Sequence, residues 1–329
     1  MNWTGKKVLV TGAGGFIGSH LTERLVELGA RVRTLVHYNA RNDWGLLEKI
    51  HSNIQNEIEV LPGDIQDPFG MRRAIADCEV VFHLAALIAI PYSYRSPATY
   101  VDTNVKGTLN VMEACRSEAV SKIVHTSTSE TYGTAQYTPI DEKHPLQGQS
   151  PYSASKIGAD KIAESYWLAY GLPVATIRPF NTYGPRQSAR AVIPTIISQA
   201  LTKDEIELGS LTPVRDLNFV KDTVNGFIKI AESEKSVGEV INVGFGQGIT
   251  IGELAQKIAG LLNKPIQIKT TQERIRPAKS EVMKLICDNR KAQELVQWQP
   301  NYTLDQGLTE TIEFMKSNMD LYKTEIYNV

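Results

Sequence analysis

Three features of this 329-residue sequence predict an α/β fold, a Rossmann-type doubly wound parallel sheet with a smaller C-terminal lobe. Short β-branched runs alternate with amphipathic stretches through the first half. A glycine-rich turn follows the first run. Beyond about residue 183 the alternation weakens, and Pro185, Pro194 and Pro213 punctuate the chain. Strands that alternate with helical patterns imply right-handed βαβ crossovers and a sheet covered on both faces.

Val8-Leu9-Val10 reads as the first strand, and residues 15–28 as the helix after it. Residues 32–36, 58–61, 80–84, 122–125 and 174–177 read as the next five strands. Residues 105–117 and 153–170 carry apolar side chains at three- and four-residue spacing and read as helices. Residues 239–243 read as a later strand that returns to the main sheet, and residues 266–269 as a short alternating element. The expected division is a nucleotide-binding domain over residues 1–182, rejoined by 216–246, with a substrate-binding lobe from 183–215 and 247–329.

Composition narrows the function. A formal net charge of −1 provides no field to draw nucleic acid or an anionic membrane. No apolar run is long enough to span a bilayer. The N-terminal residues lead directly into a strand, leaving no room for a signal peptide, so the expectation is a cytoplasmic protein. Cys78, Cys115 and Cys287 are too few and scattered for a disulfide framework or a zinc site, and read as small buried hydrophobes. No metal is expected.

The turn Gly12-Ala13-Gly14-Gly15-Phe16-Ile17-Gly18 lies between the first strand and its helix. Glycines at 12, 15 and 18 permit a tight turn, close approach of backbone to a pyrophosphate, and close helix–strand packing. The helix N-terminus then offers N–H groups to the anion. A dinucleotide is the expected cofactor. NAD sites usually place an acid at the end of the second strand, about 20 residues past the glycines. Here the stretch runs His37-Tyr38-Asn39-Ala40-Arg41, with no acid before Asp43. Arg33 or Arg41 would suit a 2′-phosphate, so the choice between NADP and NAD leans to NADP. Asp64 and Ile65 follow the third strand, where an adenine contact would fall. Leu84, Ala85 and Ala86 end the fourth strand with small side chains that let a cofactor lie against the backbone.

Tyr152 and Lys156 stand four apart and share one helix face. A lysine ammonium beside a phenol is expected to lower its pKa and make it a usable acid or base. The hydroxyl-rich segment Thr126-Ser127-Thr128-Ser129-Glu130-Thr131-Tyr132-Gly133 follows the fifth strand, at the edge where open α/β sheets bind ligands.

Taken together, the glycine turn, Asp64, His83-Leu84-Ala85-Ala86, Asn104-Val105-x-Gly107-Thr108, Thr128-Ser129-Glu130-x-Tyr132-Gly133 and Tyr152-x-x-x-Lys156 resemble the extended short-chain dehydrogenase/reductase family of nucleotide-sugar enzymes. Arg178-Pro179-x-Asn181-x-Tyr183-Gly184-Pro185 and Arg215-Asp216-x-x-x-Val220-x-Asp222 extend the resemblance over nearly the whole chain. It implies nicotinamide-dependent chemistry on a nucleotide-diphosphate sugar. The Thr-Ser-Glu form resembles 4,6-dehydratases, which make 4-keto-6-deoxy sugars. Residues 37–44 resemble the branch of these enzymes that uses GDP-N-acetylglucosamine in legionaminic acid synthesis, and the resemblance as a whole implies GDP- or UDP-N-acetylglucosamine as substrate.

The resemblance implies roles. Tyr152 takes the C4 hydroxyl proton, with Thr128 on the same oxygen and Lys156 on the nicotinamide ribose. Glu130 removes the C5 proton, and Ser129 stands where some relatives carry an aspartate. Asn181, Arg215 and Arg276 hold the diphosphate. A UDP-glucuronate decarboxylase shares Thr-Ser-Glu and is the main rival. A 4-epimerase and a non-catalytic cofactor sensor are further alternatives. A homodimer built on the helices after Asn104 and around Tyr152 is implied, with Val105, Leu109 and Met112 available for packing.

Overall fold

The fold is taken from a computed structural model that describes residues 1–275, 277 and 279–323. The strands, in chain order, are β1 (Lys7–Thr11), β2 (Arg31–His37), β3 (Glu59–Gly63), β4 (Val80–His83), β5 (Lys122–Thr126) and β6 (Val174–Pro179). They continue with β7 (Asn181–Tyr183), β8 (Glu205–Leu208), β9 (Val214–Phe219), β10 (Val240–Val243), β11 (Gly248–Thr250), β12 (Gln267–Thr270) and β13 (Lys284–Leu285). Seven of them form one sheet in the order β10-β6-β5-β4-β1-β2-β3. Every pairing in that sheet is parallel.

Strand residues point alternately to opposite faces, and the cores follow that period. Val8, Val10, Val80, Phe82 and Val124 pack with Leu21, Leu25, Val224 and Phe227, from helices Phe16–Glu27 and Val220–Glu232. Leu9, Val81 and Ile123 face the other way. They pack with Met71, Val111, Met112, Cys115, Ala163 and Tyr166 from three further helices. Phe82 is wholly buried at the centre, where truncation to alanine costs about 3–5 kcal/mol.

The strand order reverses at β1, which lies between β2 and β4. Ligands of open α/β sheets bind outside the carboxyl ends of the strands at such a switch point. That edge carries Thr11, His83 and Thr126.

The second half holds more regular structure than its sequence rhythm indicates. β9 pairs antiparallel with β11 and parallel with β7 and β13, while β8 pairs with β12. Two buried carboxylates fix this region. Asp216 accepts hydrogen bonds from the backbone N–H groups of Phe245, Gly246 and Cys287. Asp222 accepts from those of Asn301 and Tyr302. Both belong to the motif that follows Arg215, and both serve as anchors for backbone.

Two details depart from the sequence expectations. The helix expected over 105–117 begins as a wider π-turn, Val101–Lys106, before continuing as Gly107–Ser117. Met112 belongs to the core beneath the sheet and is wholly buried, so it offers nothing to a partner subunit. Leu109 is exposed, and Val105 packs near Gly158 of the Tyr152 helix. All three cysteines are buried. Among the described residues, no helix is long and apolar enough to cross a membrane.

Candidate active site

The glycine turn is shaped by backbone proximity. Gly12 has φ +73°, and a Cβ there would lie 2.8 Å from the Ala85 nitrogen. A Cβ on Gly18 would fall 2.2 Å from the Gly12 carbonyl oxygen. Gly15 caps helix Phe16–Glu27 without any side-chain hydrogen bond, leaving the first-turn N–H groups to face the switch point. Leu84 and Ala85 donate their N–H groups to the Thr11 hydroxyl, each at 3.2 Å, which holds the end of β4 against the turn. This cradle, which a single methyl group would fill, fits the pyrophosphate of a dinucleotide.

The rim of the cradle comes from β2 and β3. Exposed His37 places Nε2 3.5 Å from Asp64 Oδ2. The Asn39 carboxamide oxygen accepts from the Arg41 and Asp43 N–H groups, at 3.1 and 3.0 Å, closing the loop on itself. Asp43 Oδ1 accepts from the Gly45 N–H at 2.6 Å, six residues past the end of β2. Arg41 is exposed in this loop. Arg33 is removed as a phosphate ligand. It lies four residues before the end of β2, roughly 13 Å back along the strand. There its guanidinium meets Glu59 at 2.8 Å and the carbonyls of Ala74 and Ala76. Ile65 is buried beside Gly107, and its carbonyl accepts from Asn110.

The other half of the candidate site is built from side chains. Helix Pro151–Tyr170 starts with a capping box between Ser150 and Ser153 and with Pro151 in its first turn, which fixes where Tyr152 emerges. Buried Asn104 ties the β4 exit loop to this helix. Its side chain bonds the Leu87 N–H and carbonyl at 2.8 and 2.9 Å, and the Ser155 hydroxyl at 2.9 Å. The Tyr152 ring meets the Tyr100 ring edge-on at 6.3 Å.

Thr128 caps the short 3-10 turn Ser129–Tyr132. Thr128 and Glu130 are half-buried, while Ser129 is buried. The Thr128 hydroxyl and the Glu130 carboxylate both act on the Tyr152 phenol. Thr128, Glu130 and Tyr152 therefore converge, with Ser129 turned inward between the first two.

The expected lowering of the Tyr152 pKa does not occur. Burial pushes it up, the Thr128 hydrogen bond opposes this, and the Glu130 charge adds to the rise. Lys156 directs its ammonium at the Thr126 carbonyl, 2.6 Å away, instead of at the phenol. Burial brings the Lys156 pKa down to about 8, against the opposing charge of Asp160.

On the lobe side, Asn181 is half-buried on β7, and its carboxamide oxygen is buried without a protein partner. Arg215 on β9 is buried and donates to Glu281 Oε1 at 3.1 Å. Arg276 lies outside the described residues. Sequence reasoning missed the cluster beneath Lys156, formed by His125, Ser127, Asp160 and Arg178. Its one available signal was Asp160, an acid one turn beyond Lys156.

The chain matches the family model described as GDP-mannose 4,6 dehydratase over residues 9–311. It is similar to a UDP-glucose 4-epimerase of Mycolicibacterium smegmatis, at 34% identity over 94% of this chain and 99% of that one. It is also similar to a UDP-N-acetyl-alpha-D-glucosaminuronate decarboxylase of Bacillus cytotoxicus, at 33% identity over 94% and 98%. The crystal structure of DesIV, a dTDP-glucose 4,6-dehydratase from Streptomyces venezuelae with NAD bound, aligns with TM-score 0.86 and 26% identity over 96% of this chain and 99% of that one. With its glycine cradle, its Tyr152–Lys156 helix and these relatives, the chain belongs to the GDP-mannose 4,6-dehydratase family of extended short-chain dehydrogenases/reductases, NAD-dependent enzymes that dehydrate, epimerise or decarboxylate nucleotide sugars.

Proposed function

We propose that this protein is a nucleotide-sugar 4,6-dehydratase that converts GDP-N-acetylglucosamine to its 4-keto-6-deoxy derivative. The observation that carries the reaction type is Glu130, held on the turn capped by Thr128 so that its charge acts on the Tyr152 phenol. Overall identity does not choose among the family's reactions, because relatives of different activity match this chain about equally. The carboxylate of Glu130 beside the tyrosine weighs against a simple 4-epimerase, since dehydration needs a base for C5 in addition to the base for C4. The decarboxylase that shares Thr-Ser-Glu is separated by the experiment below.

The nicotinamide group supplies reversible hydride acceptance when it is bound. Gly12, Gly15, Phe16, Ile17 and Gly18 would hold its pyrophosphate, and Asp64, Ile65, Leu84, Ala85 and Ala86 its adenosine side. Lys156 would hold its ribose. The end of β2 on His37, with no acid before Asp43 and Arg41 exposed nearby, favours NADP over NAD.

Tyr152 takes the C4 hydroxyl proton, with Thr128 hydrogen-bonded to the same oxygen. The 4-ketone acidifies the neighbouring C5–H bond. Glu130 takes that proton, the C5 electron pair forms the C5–C6 double bond, and the C6 hydroxyl takes the proton from Glu130 to leave as water. The hydride lost from C4 would then be returned at C6 and a proton restored at C5, balancing the one that Tyr152 took from the C4 hydroxyl. Ser129, adjacent to both groups, orders the turn. Asn181, through the N–H groups of its side-chain amide, and Arg215 would hold the diphosphate, as would Arg276. The GDP and N-acetylglucosamine assignment rests on the likeness of residues 37–44 to that branch.

The test is to incubate the purified protein with GDP-N-acetylglucosamine, UDP-N-acetylglucosamine, GDP-mannose and UDP-glucuronate, and to read products by mass spectrometry. Loss of one water from GDP-N-acetylglucosamine, without net cofactor consumption, is the expected result. Loss of carbon dioxide from UDP-glucuronate would establish the decarboxylase instead. Unchanged masses with all four would overturn the dehydratase on these substrates.

A further inference from the structure

A buried polar cluster lies directly below the Tyr152–Lys156 pair. Asp160 is one helical turn past Lys156 and is 5% exposed, so both side chains share a helix face. The Asp160 carboxylate accepts from His125 Nε2 at 3.0 Å, from the Ser127 hydroxyl at 2.5 Å and from an Arg178 terminal nitrogen at 2.8 Å. Arg178 also donates through Nε to Ser127 at 3.1 Å, and its guanidinium lies 4.7 Å from the centre of the Tyr132 ring. The cluster thus links the helix bearing Lys156, the end of β5 just before Thr128, and the turn bearing Glu130.

We propose that Asp160 is a positioning residue for the reaction: it supplies the buried negative charge that keeps Lys156 an ammonium, and it is itself fixed by His125, Ser127 and Arg178. The inference rests on the role given above to Tyr152 and Lys156.

The groups facing Lys156 support this. Tyr152 stands one turn before it on the same helix. His83 on β4 and His125 on β5 are both buried, and burial lowers the pKa of each, leaving them neutral at pH 7. Arg178 on β6 adds a positive charge on the far side of Asp160. Among the described residues, Asp160 is the carboxylate whose charge raises the Lys156 pKa against burial. Burial also opposes the ionisation of Asp160, but the His125 hydrogen bond and the charges of Arg178 and Lys156 outweigh it and hold the carboxyl well below its usual range. A charge this firmly held is present at every pH at which the protein works.

The test reads Lys156 directly and needs no turnover. In the holoenzyme labelled with ¹⁵N-lysine, the Lys156 Nζ signal is assigned by its loss in Lys156→Arg and followed against pH. In Asp160→Asn its midpoint is expected to fall by about one pH unit or more. In Asp160→Glu it should stay near the native value, even where turnover drops. If Asp160→Asn does not fold, the double variant D160N/R178M removes both buried charges together, a change proteins often tolerate, and the same fall is expected. A midpoint unchanged in the folded variant would overturn the proposal and leave Asp160 as the partner of Arg178 alone. Because no substrate is involved, this result stands apart from whether the proposed dehydration occurs.

Discussion

Beside β1 and β2, the carboxyl edge of the sheet is shaped by backbone; beside β5 and β6, it is shaped by buried side chains. The first region works through absent atoms, since a single methyl on Gly12 or Gly18 would overlap neighbouring main chain. The second works through present ones, with Asn104 and Arg178 bonded to the Tyr152 helix, Asp160 on that helix bonded to β5, and Thr128 capping the Glu130 turn. The difference matches the tasks. A pyrophosphate needs bare N–H groups and room, whereas proton transfer needs an acid and a base held to within a fraction of an ångström. Substitutions in the two regions should therefore fail in different ways.

The largest effect should come from the side-chain region. Tyr152→Phe removes the proposed proton acceptor while keeping the ring against Tyr100, so turnover should fall by about 10²- to 10⁴-fold, with cofactor affinity unchanged by fluorescence titration. Near-native turnover would remove Tyr152 from its role. Glu130→Gln should lower water loss by about 10²-fold or more while the C5 proton stays in place. In deuterated water the variant should incorporate no deuterium at C5 on the timescale of native turnover. Deuterium incorporation at the native rate would place the base elsewhere.

The backbone region should respond in the opposite sense. Gly18→Ala forces the turn and helix apart by the width of a methyl, a strain of about 1–3 kcal/mol. Cofactor affinity should fall by roughly tenfold to a hundredfold. With the cofactor saturating, the chemical step should stay within a few-fold of native. A variant that binds the cofactor normally but turns over slowly would erase the distinction between the two regions.

The same distinction explains what was legible in the sequence. The sheet and the glycine turn announce themselves, because β-branched runs and glycine spacing act locally. Tyr152 and Lys156 are visible because one helix carries both. Asp160's partners are not, since His125, Ser127 and Arg178 come from two strands that only the fold brings together. The sign of the Tyr152 shift was also out of reach. Charge spacing points down, but burial and Glu130 push up, and neither is a property of local sequence. Asp216 and Asp222 enter the sequence only as part of the motif that follows Arg215, and their role as anchors of lobe loops is not legible there, because their hydrogen-bond donors lie 29 to 80 residues further along the chain. The strands β7 to β9 escaped notice because prolines break the rhythm on which the rest depends.

The smallest effect should appear at the rim, where neither mode of construction dominates. Arg41 is exposed on a loop closed by Asn39, and Asp43 accepts from the Gly45 N–H. An exposed arginine contributes little to any single contact, because water screens its charge. Arg41→Ala should therefore weaken NADP by about fivefold while leaving NAD affinity unchanged, so the ratio of the two dissociation constants carries the signal. High salt should shrink that ratio in the native protein and have little effect on it in the variant. If both affinities are unaltered, the rim does not read the 2′-phosphate, and His37 beside Asp64 becomes the contact to the adenosine ribose. The rim would then join the cradle as a surface that recognises the cofactor by shape.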